Sequence, residues 1–203
     1  MTCRCEEITA EVIQCPEHFR LYRGGRRLAS VGSIIRASFP MDPSIPPDKL
    51  ENARERGEQV DRLFCAYVTG MLERIPAGTR SDARDLFLKL RVWFDRQDFH
   101  SVDSQIVLGD HDHGGVLDLR LDGVPVDLKA TYNVEHTHRL QVAAYCDLDG
   151  GKHGRILHVT ERYSEPRLID LDPGDYQDWR ILLDHRRLQE RRKSVALREM
   201  EEL

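Results

Sequence analysis

Gly114-Gly115-Val116-Leu117-Asp118-Leu119-Arg120-Leu121-Asp122-Gly123-Val124-Pro125-Val126-Asp127-Leu128-Lys129-Ala130 is the stretch that decides how this chain is read. Apolar and polar residues alternate through Val116, Asp118 and Arg120, the period of a half-buried strand. The pattern breaks at Asp122-Gly123, a strong two-residue hairpin signal. A second strand is expected from Val124 to Lys129, with Val126 and Leu128 on one face and Asp127 and Lys129 on the other. Side chains two apart on a strand leave the sheet on the same side, so Asp127 and Lys129 are expected together. Two carboxylates and an amine at one place suit a hard divalent cation and an activated water.

Around that hairpin, composition sets the frame. A chain of 203 residues is long enough for one sizeable core. An apolar fraction of 40% with 32% charged residues is that of a globular chain, which excludes the disordered class. The net charge of −5 does not advertise a polyanion-binding protein, although basic residues can still gather on one face. No apolar run is long enough to cross a membrane and no secretory signal opens the chain, so the expected place is the cytoplasm of a bacterium or of a phage-infected host. Five cysteines argue against a disulfide framework. Cys65 and Cys146 fall within helical patterns and read as small core residues. Cys3, Cys5, Cys15 and His18 could supply four soft ligands, but their spacing is not that of a zinc ribbon, so a structural zinc is not expected.

Upstream, strands are expected at His18 to Tyr22 and Arg27 to Val31 around Gly24-Gly25, followed by a short helix capped by Ser33. Four prolines between Phe39 and Pro47 make an extended connection. A long helix runs from Asp48 to about Met71, with Val60, Phe64 and Val68 on its apolar face. After a break at Pro76 to Thr79, Ser81 caps another helix that reaches Phe94. Gln105 to Leu108 reads as a strand leading into the hairpin, and Glu135 to Leu148 as a helix stopped by Gly150-Gly151. Strands at Arg155 to Thr160 and Arg167 to Leu171, then a helix from Asp175 almost to Leu203, complete an α/β layout with a mixed central sheet.

The helix after the hairpin adds Gln141 and Tyr145, i and i+4 on one side. Gly115-Val116-Leu117-Asp118, Asp127-Leu128-Lys129 and Gln141-Val142-Ala143-Ala144-Tyr145 together resemble the PD-(D/E)XK nuclease superfamily, in particular its RecB-like and phage-type exonuclease branch. That branch shows a G-x-x-D strand, a D/E-x-K strand and a helix carrying Q-x-x-x-Y. The resemblance is fullest over residues 101 to 146 and looser over 19 to 61, where Leu28-Ala29-Ser30-Val31 and Arg56-Gly57 match. It implies a restriction-endonuclease-like core: one domain over 1–203, with an extension (1–18), a hairpin and helical part (19–98), and a catalytic core with the last helix (99–203).

The resemblance also implies roles. Asp118, Asp127 and the Leu128 carbonyl would hold Mg²⁺ or Mn²⁺, with Lys129 orienting or deprotonating the attacking water. Gln141 and Tyr145 would position the nucleic-acid backbone or the metal shell from the flanking helix. The activity implied is metal-dependent hydrolysis of DNA, exonucleolytic and of phage or mobile-element type, with a homo-oligomer or a recombination and repair partner as expected company. Two positions depart from the pattern. Where the branch carries a histidine, this chain has Asp61, itself an oxygen donor suited to a hard cation. Where a glutamate often precedes the G-x-x-D strand, the chain has Gln105, with Asp103 at the same strand parity. Those departures support another reading, a weakened nuclease fold that binds nucleic acid or a protein.

His111, His113, His136 and His138 surround the hairpin, but helical neighbours two apart diverge, so His136 and His138 are not expected to share a metal. Arg186-Arg187 and Arg191-Arg192-Lys193 read as the solvated face of a charged helix, or as phosphate contacts if they face the hairpin.

Overall fold

Asp122 and Gly123 both hold positive φ, 49° and 78°, the backbone that a two-residue hairpin of matching twist requires. The computed structural model that contains this turn describes residues 11–15 and 20–201, with the side chains of the last helix through Val195. The described chain opens with β1 (Val12–Cys15), β2 (Arg20–Arg23), β3 (Arg26–Arg27) and β4 (Ala29–Ser30). Three helices follow: α1 (Val31–Ser38), α2 (Pro47–Val68) and α3 (Ser81–Phe94). Then come β5 (Val102–Gly109), β6 (His113–Leu121), β7 (Val124–Lys129) and α4 (His136–Asp149). The chain ends with β8 (Arg155–His158), β9 (Arg167–Asp170) and α5 (Pro173–Glu201).

The α/β class and mixed sheet expected from the sequence are what the chain forms. β1, β2 and β3 make a small antiparallel sheet of their own. The central sheet has the order β4-β6-β7-β8-β9, with β5 along the other edge of β6. β6–β7 and β8–β9 are antiparallel hairpins, whereas β7 and β8 run parallel because α4 carries the chain back between them.

Several upstream boundaries differ from the sequence reading. β1 was not expected, and it forms by pairing with β2. The strand expected at Arg27 to Val31 splits into β3 and β4, and Val31 already belongs to α1. Ser30, not Ser33, caps that helix: its hydroxyl accepts the Ser33 N–H at 3.1 Å. His18, Cys3 and Cys5 lie outside the described residues, and Cys15 is buried at the end of β1.

Among the described residues, two large groups of apolar side chains and a smaller one around Val142, Cys146 and Ile156 hold the layers together. Val60, Leu63, Phe64, Leu86, Phe87 and Leu90 of α2 and α3 pack with Leu119, Leu121, Val126, Leu128 and Leu157 of the sheet. Val31, Ile34 and Ile35 of α1 pack with Leu117, Leu140, Ala143, Trp179 and Leu183, joining α4 and α5 to the start of β6. Burial of a large side chain contributes roughly 1.5–3 kcal/mol, so these groups fix the helices against the sheet. No described helix is long and apolar enough to cross a membrane.

Candidate active site

The central sheet is split at one point. β5 runs along one edge of β6 from Gly114 to Leu121, so β4 and β7 must share the other edge. β4 pairs with His113 and Gly114, and β7 pairs with Leu119, Arg120 and Leu121. Residues 115–118 lie between, with no strand partner on that edge among the described residues. In this gap the Asp118 carboxylate accepts the Leu128 N–H at 2.9 Å, replacing the ladder bond that the splayed strands do not make.

Asp127 and Lys129 leave β7 on the same side. Lys129 Nζ stands 2.6 Å from Asp127 Oδ2, with Lys129 17% and Asp127 1% exposed at the side chain. At that distance the ammonium both neutralises Asp127 Oδ2 and lies within hydrogen-bond reach of it, whereas the buried Oδ1 has no hydrogen-bond partner among the described residues. Burial, and then the charges of Asp127 and Asp61, push Asp118 well above the ordinary carboxylate range. For Lys129, burial alone would lower the pKa, but Asp127 and Asp118 outweigh it and hold the group above its usual value. Lys129 is therefore a cation here, suited to orienting and stabilising negative charge.

Asp61 comes from α2 and lies close enough for Asp127 to raise its pKa, after burial as the larger cause. Its Oδ1 accepts the Cys65 thiol at 3.3 Å, one turn along the helix. The same sulfur accepts the Gln105 Nε2–H at 3.2 Å and lies 3.9 Å from the Asp118 carbonyl oxygen. Gln105 has φ of 53° in mid-strand, a conformation that costs a non-glycine residue about 1–3 kcal/mol. The pairs on either side, Ser104 with Leu119 and Ile106 with Leu117, set Gln105 opposite Asp118. Cys65 thus joins Gln105 and Asp61. Its place at helical spacing suggested only core packing, and nothing in the sequence marks the contact. Asp103 does not replace the missing glutamate. It pairs with Arg120 across the ladder, 3.7 Å from that guanidinium, and is 60% exposed.

On α4, Gln141 Nε2 donates to Tyr145 Oη at 3.1 Å. Tyr145 is buried, which raises its phenol above the ordinary value, and its ring lies against Gly115. A Cβ at Gly115 would run into that ring, so the glycine is needed for close approach. Arg56 donates from Nη2 to the Ala130 carbonyl at 3.3 Å, just past Lys129.

The four histidines disperse. His111 is exposed, while His113 is fully buried against Trp179 with ring centroids 5.4 Å apart. His136 turns to Asp178 at 3.4 Å. His138 Nδ1 accepts the Glu135 N–H at 3.1 Å, and burial followed by the Lys129 and His158 charges lowers it to about 4.

The described residues bring no three His, Cys, Asp or Glu side chains together as a complete metal shell. What they offer a hard cation is a pair of crowded carboxylates and the orphaned Asp127 Oδ1. A groove of about 610 Å³ borders the gap at Gly115, Val116 and Tyr145, and Arg20, Arg26, Arg27, Arg36 and Arg186 line it. Asp118, Asp127 and Lys129 line neither that groove nor a larger cavity of about 860 Å³ between α1, α4 and α5 around Phe39 and Leu182. Of the basic residues on α5, Arg186 faces the groove and Arg187 pairs with Asp112 at 2.9 Å.

No protein family and no curated protein matches the chain by sequence. Among solved structures, a candidate exonuclease from Eubacterium rectale matches with a TM-score of 0.52 and 13% identity, over 80% of this chain and 79% of that one. An alkaline exonuclease from Laribacter hongkongensis matches with a TM-score of 0.40 and 12% identity, over 84% of this chain and 94% of that one. The first of these likenesses shows a shared fold.

Proposed function

We propose that this chain is a metal-dependent deoxyribonuclease of the PD-(D/E)XK type, hydrolysing phosphodiester bonds of DNA as an exonuclease. The observation that carries the reading is the set Asp118, Asp127 and Lys129 at a split in the central sheet, with one buried Asp127 oxygen lacking any hydrogen bond among the described residues. Asp118, Asp127 and the Leu128 carbonyl would hold Mg²⁺ or Mn²⁺, with Asp61 nearby. When bound, the ion would lower the pKa of water and offset charge gathering on the phosphate.

The chain's own groups supply the rest. Lys129, held cationic, orients the attacking water and stabilises the negative charge of the pentavalent phosphorus. Gln141, fixed by Tyr145, presents its amide beside the gap to position the substrate backbone. The groove, with five arginines against Asp112 and Glu190 in its lining, would lead a polyanion to Gly115 and Tyr145 on an otherwise acidic chain.

A second reading, a weakened nuclease fold that grips nucleic acid, draws on the close Lys129–Asp127 pair and the absence of a third side-chain ligand among the described residues. Incubating the protein with linear and circular DNA in Mg²⁺ or Mn²⁺ separates the two. Loss of linear DNA only, abolished in Lys129→Ala, supports the exonuclease. Binding without cleavage in either metal supports the second reading.

A further inference from the structure

Just beyond Lys129 the surface carries a constellation that phosphodiester chemistry leaves unused. Tyr132 follows the end of β7 with 65% of its area exposed. The Arg162 guanidinium lies over its ring, 4.5 Å from the centroid, and 5.9 Å from that of Tyr163. Arg167 covers Tyr163 at 3.7 Å. Rings and cations therefore alternate along one strip.

The strip is held in place. Arg162 Nη1 donates to Asn133 Oδ1 at 2.9 Å, and Thr131 Oγ1 donates to the Asn133 carbonyl at 2.9 Å. His158, the register partner of Lys129, has Nε2 2.8 Å from the Thr131 carbonyl oxygen. Its ring meets the Tyr163 ring edge-on at 6.2 Å. One histidine thus ties the strip to the Lys129 end of β7 and β8. Among the described residues neither Arg162 nor Arg167 forms an ion pair with a carboxylate, so both charges stay available to an incoming anion.

We propose that Tyr132 and Arg162 form a stacking platform for unpaired bases of a DNA strand at the rim of the candidate site. A single strand alternates anionic phosphates with flat π faces, and the strip alternates cations with rings to match. A duplex hides its base faces, so the platform distinguishes unpaired from paired DNA. The identity of the polymer rests on the nuclease reading above. The competing role is a clip that holds residues 131–133 to the turn around Tyr163.

Fluorescence anisotropy with EDTA present tests this on labelled oligothymidylate, an abasic strand of equal length and a blunt duplex. The intact protein is expected to bind oligothymidylate about ten-fold more tightly than the abasic strand. Tyr132→Ala should remove about that ten-fold on oligothymidylate and leave the other two ligands within about two-fold, while Tyr132→Phe and Tyr132→Trp bind as the parent does. Arg162→Ala should weaken oligothymidylate as well. Oligothymidylate binding unchanged in Tyr132→Ala overturns the platform alone. Equal losses on all three ligands with a lower Tm mark a clip and also overturn it. Failure to bind any of the three, with EDTA and again with Ca²⁺ in its place, overturns the platform, whereas the nuclease reading stands or falls on cleavage in Mg²⁺ or Mn²⁺.

Discussion

Lys129 Nζ and Asp127 Oδ2 stand 2.6 Å apart on one face of β7, and the other oxygen of that carboxylate, Oδ1, is buried with no hydrogen-bond partner among the described residues. The pair is a consequence of strand parity, since side chains two residues apart share a side. It keeps a cation beside a crowded set of acids, where an unpaired buried charge would be costly.

Removing the cation should therefore expose that cost. Lys129→Met is expected to lower stability at pH 7 by about 2–4 kcal/mol, because Asp127 is left buried without its counter-ion. Adding Asp127→Asn to Lys129→Met should recover most of the loss. Chemical denaturation of the two single variants and the double variant measures the coupling.

Asp118 and Asp61 are held above the ordinary carboxylate value of 3.8, mainly by burial. The folded protein then keeps protons that the unfolded chain releases, so these groups destabilise the fold as pH rises above 3.8. Asp118→Asn, whose amide oxygen still accepts the Leu128 N–H, is expected to raise the neutral-pH Tm of the metal-free protein by about 2–5 °C. Calorimetry from pH 4 to 8 checks that the gain grows with pH.

Histidine works in the opposite direction. His138, lowered to about 4 from an ordinary 6.5, stays neutral in the fold while the unfolded chain takes up a proton. The unfolded state binds more protons in that window, so stability falls as pH drops from about 6.5 toward about 4. His113, also lowered by burial, adds to the same acid limb. His138→Gln should flatten part of this slope in urea titrations and leave stability above pH 7 nearly unchanged.

Cys65 links Asp61 to Gln105, and its replacements separate packing from polarity. Cys65→Val fills similar space but removes both hydrogen bonds, leaving a partly buried amide unsatisfied at about 1–3 kcal/mol. Cys65→Ser restores a donor and an acceptor. Calorimetric titration with Mn²⁺ is expected to show weaker binding in Cys65→Val by about five-fold or more and near-parent binding in Cys65→Ser, because the valine lets Asp61 swing away.

The sequence made the hairpin legible because its determinants are local: the parity of Asp127 and Lys129, and the left-handed Asp122-Gly123 pair. Gln141 and Tyr145 were legible for the same reason, one turn apart on a helix. What stayed hidden depends on segments distant in sequence meeting in space. β4 is a two-residue strand visible only where it pairs with His113 and Gly114. The Ser30 cap follows from where β4 stops. The left-handed Gln105 and its bond to Cys65 need α2 and β5 to be docked, and Asp103 was drawn off by Arg120 across the ladder. The need for Gly115 is set by a ring on α4, not by the motif around it.

The most direct measurement is the rate at which the parent protein and Asp127→Asn release nucleotides from end-labelled linear DNA in Mn²⁺, with circular dichroism showing that both are folded. The account predicts steady release by the parent, stopped by EDTA, and a loss of about a hundred-fold or more in Asp127→Asn. Release by Asp127→Asn at the parent rate, or none from the parent in either Mg²⁺ or Mn²⁺, would contradict it.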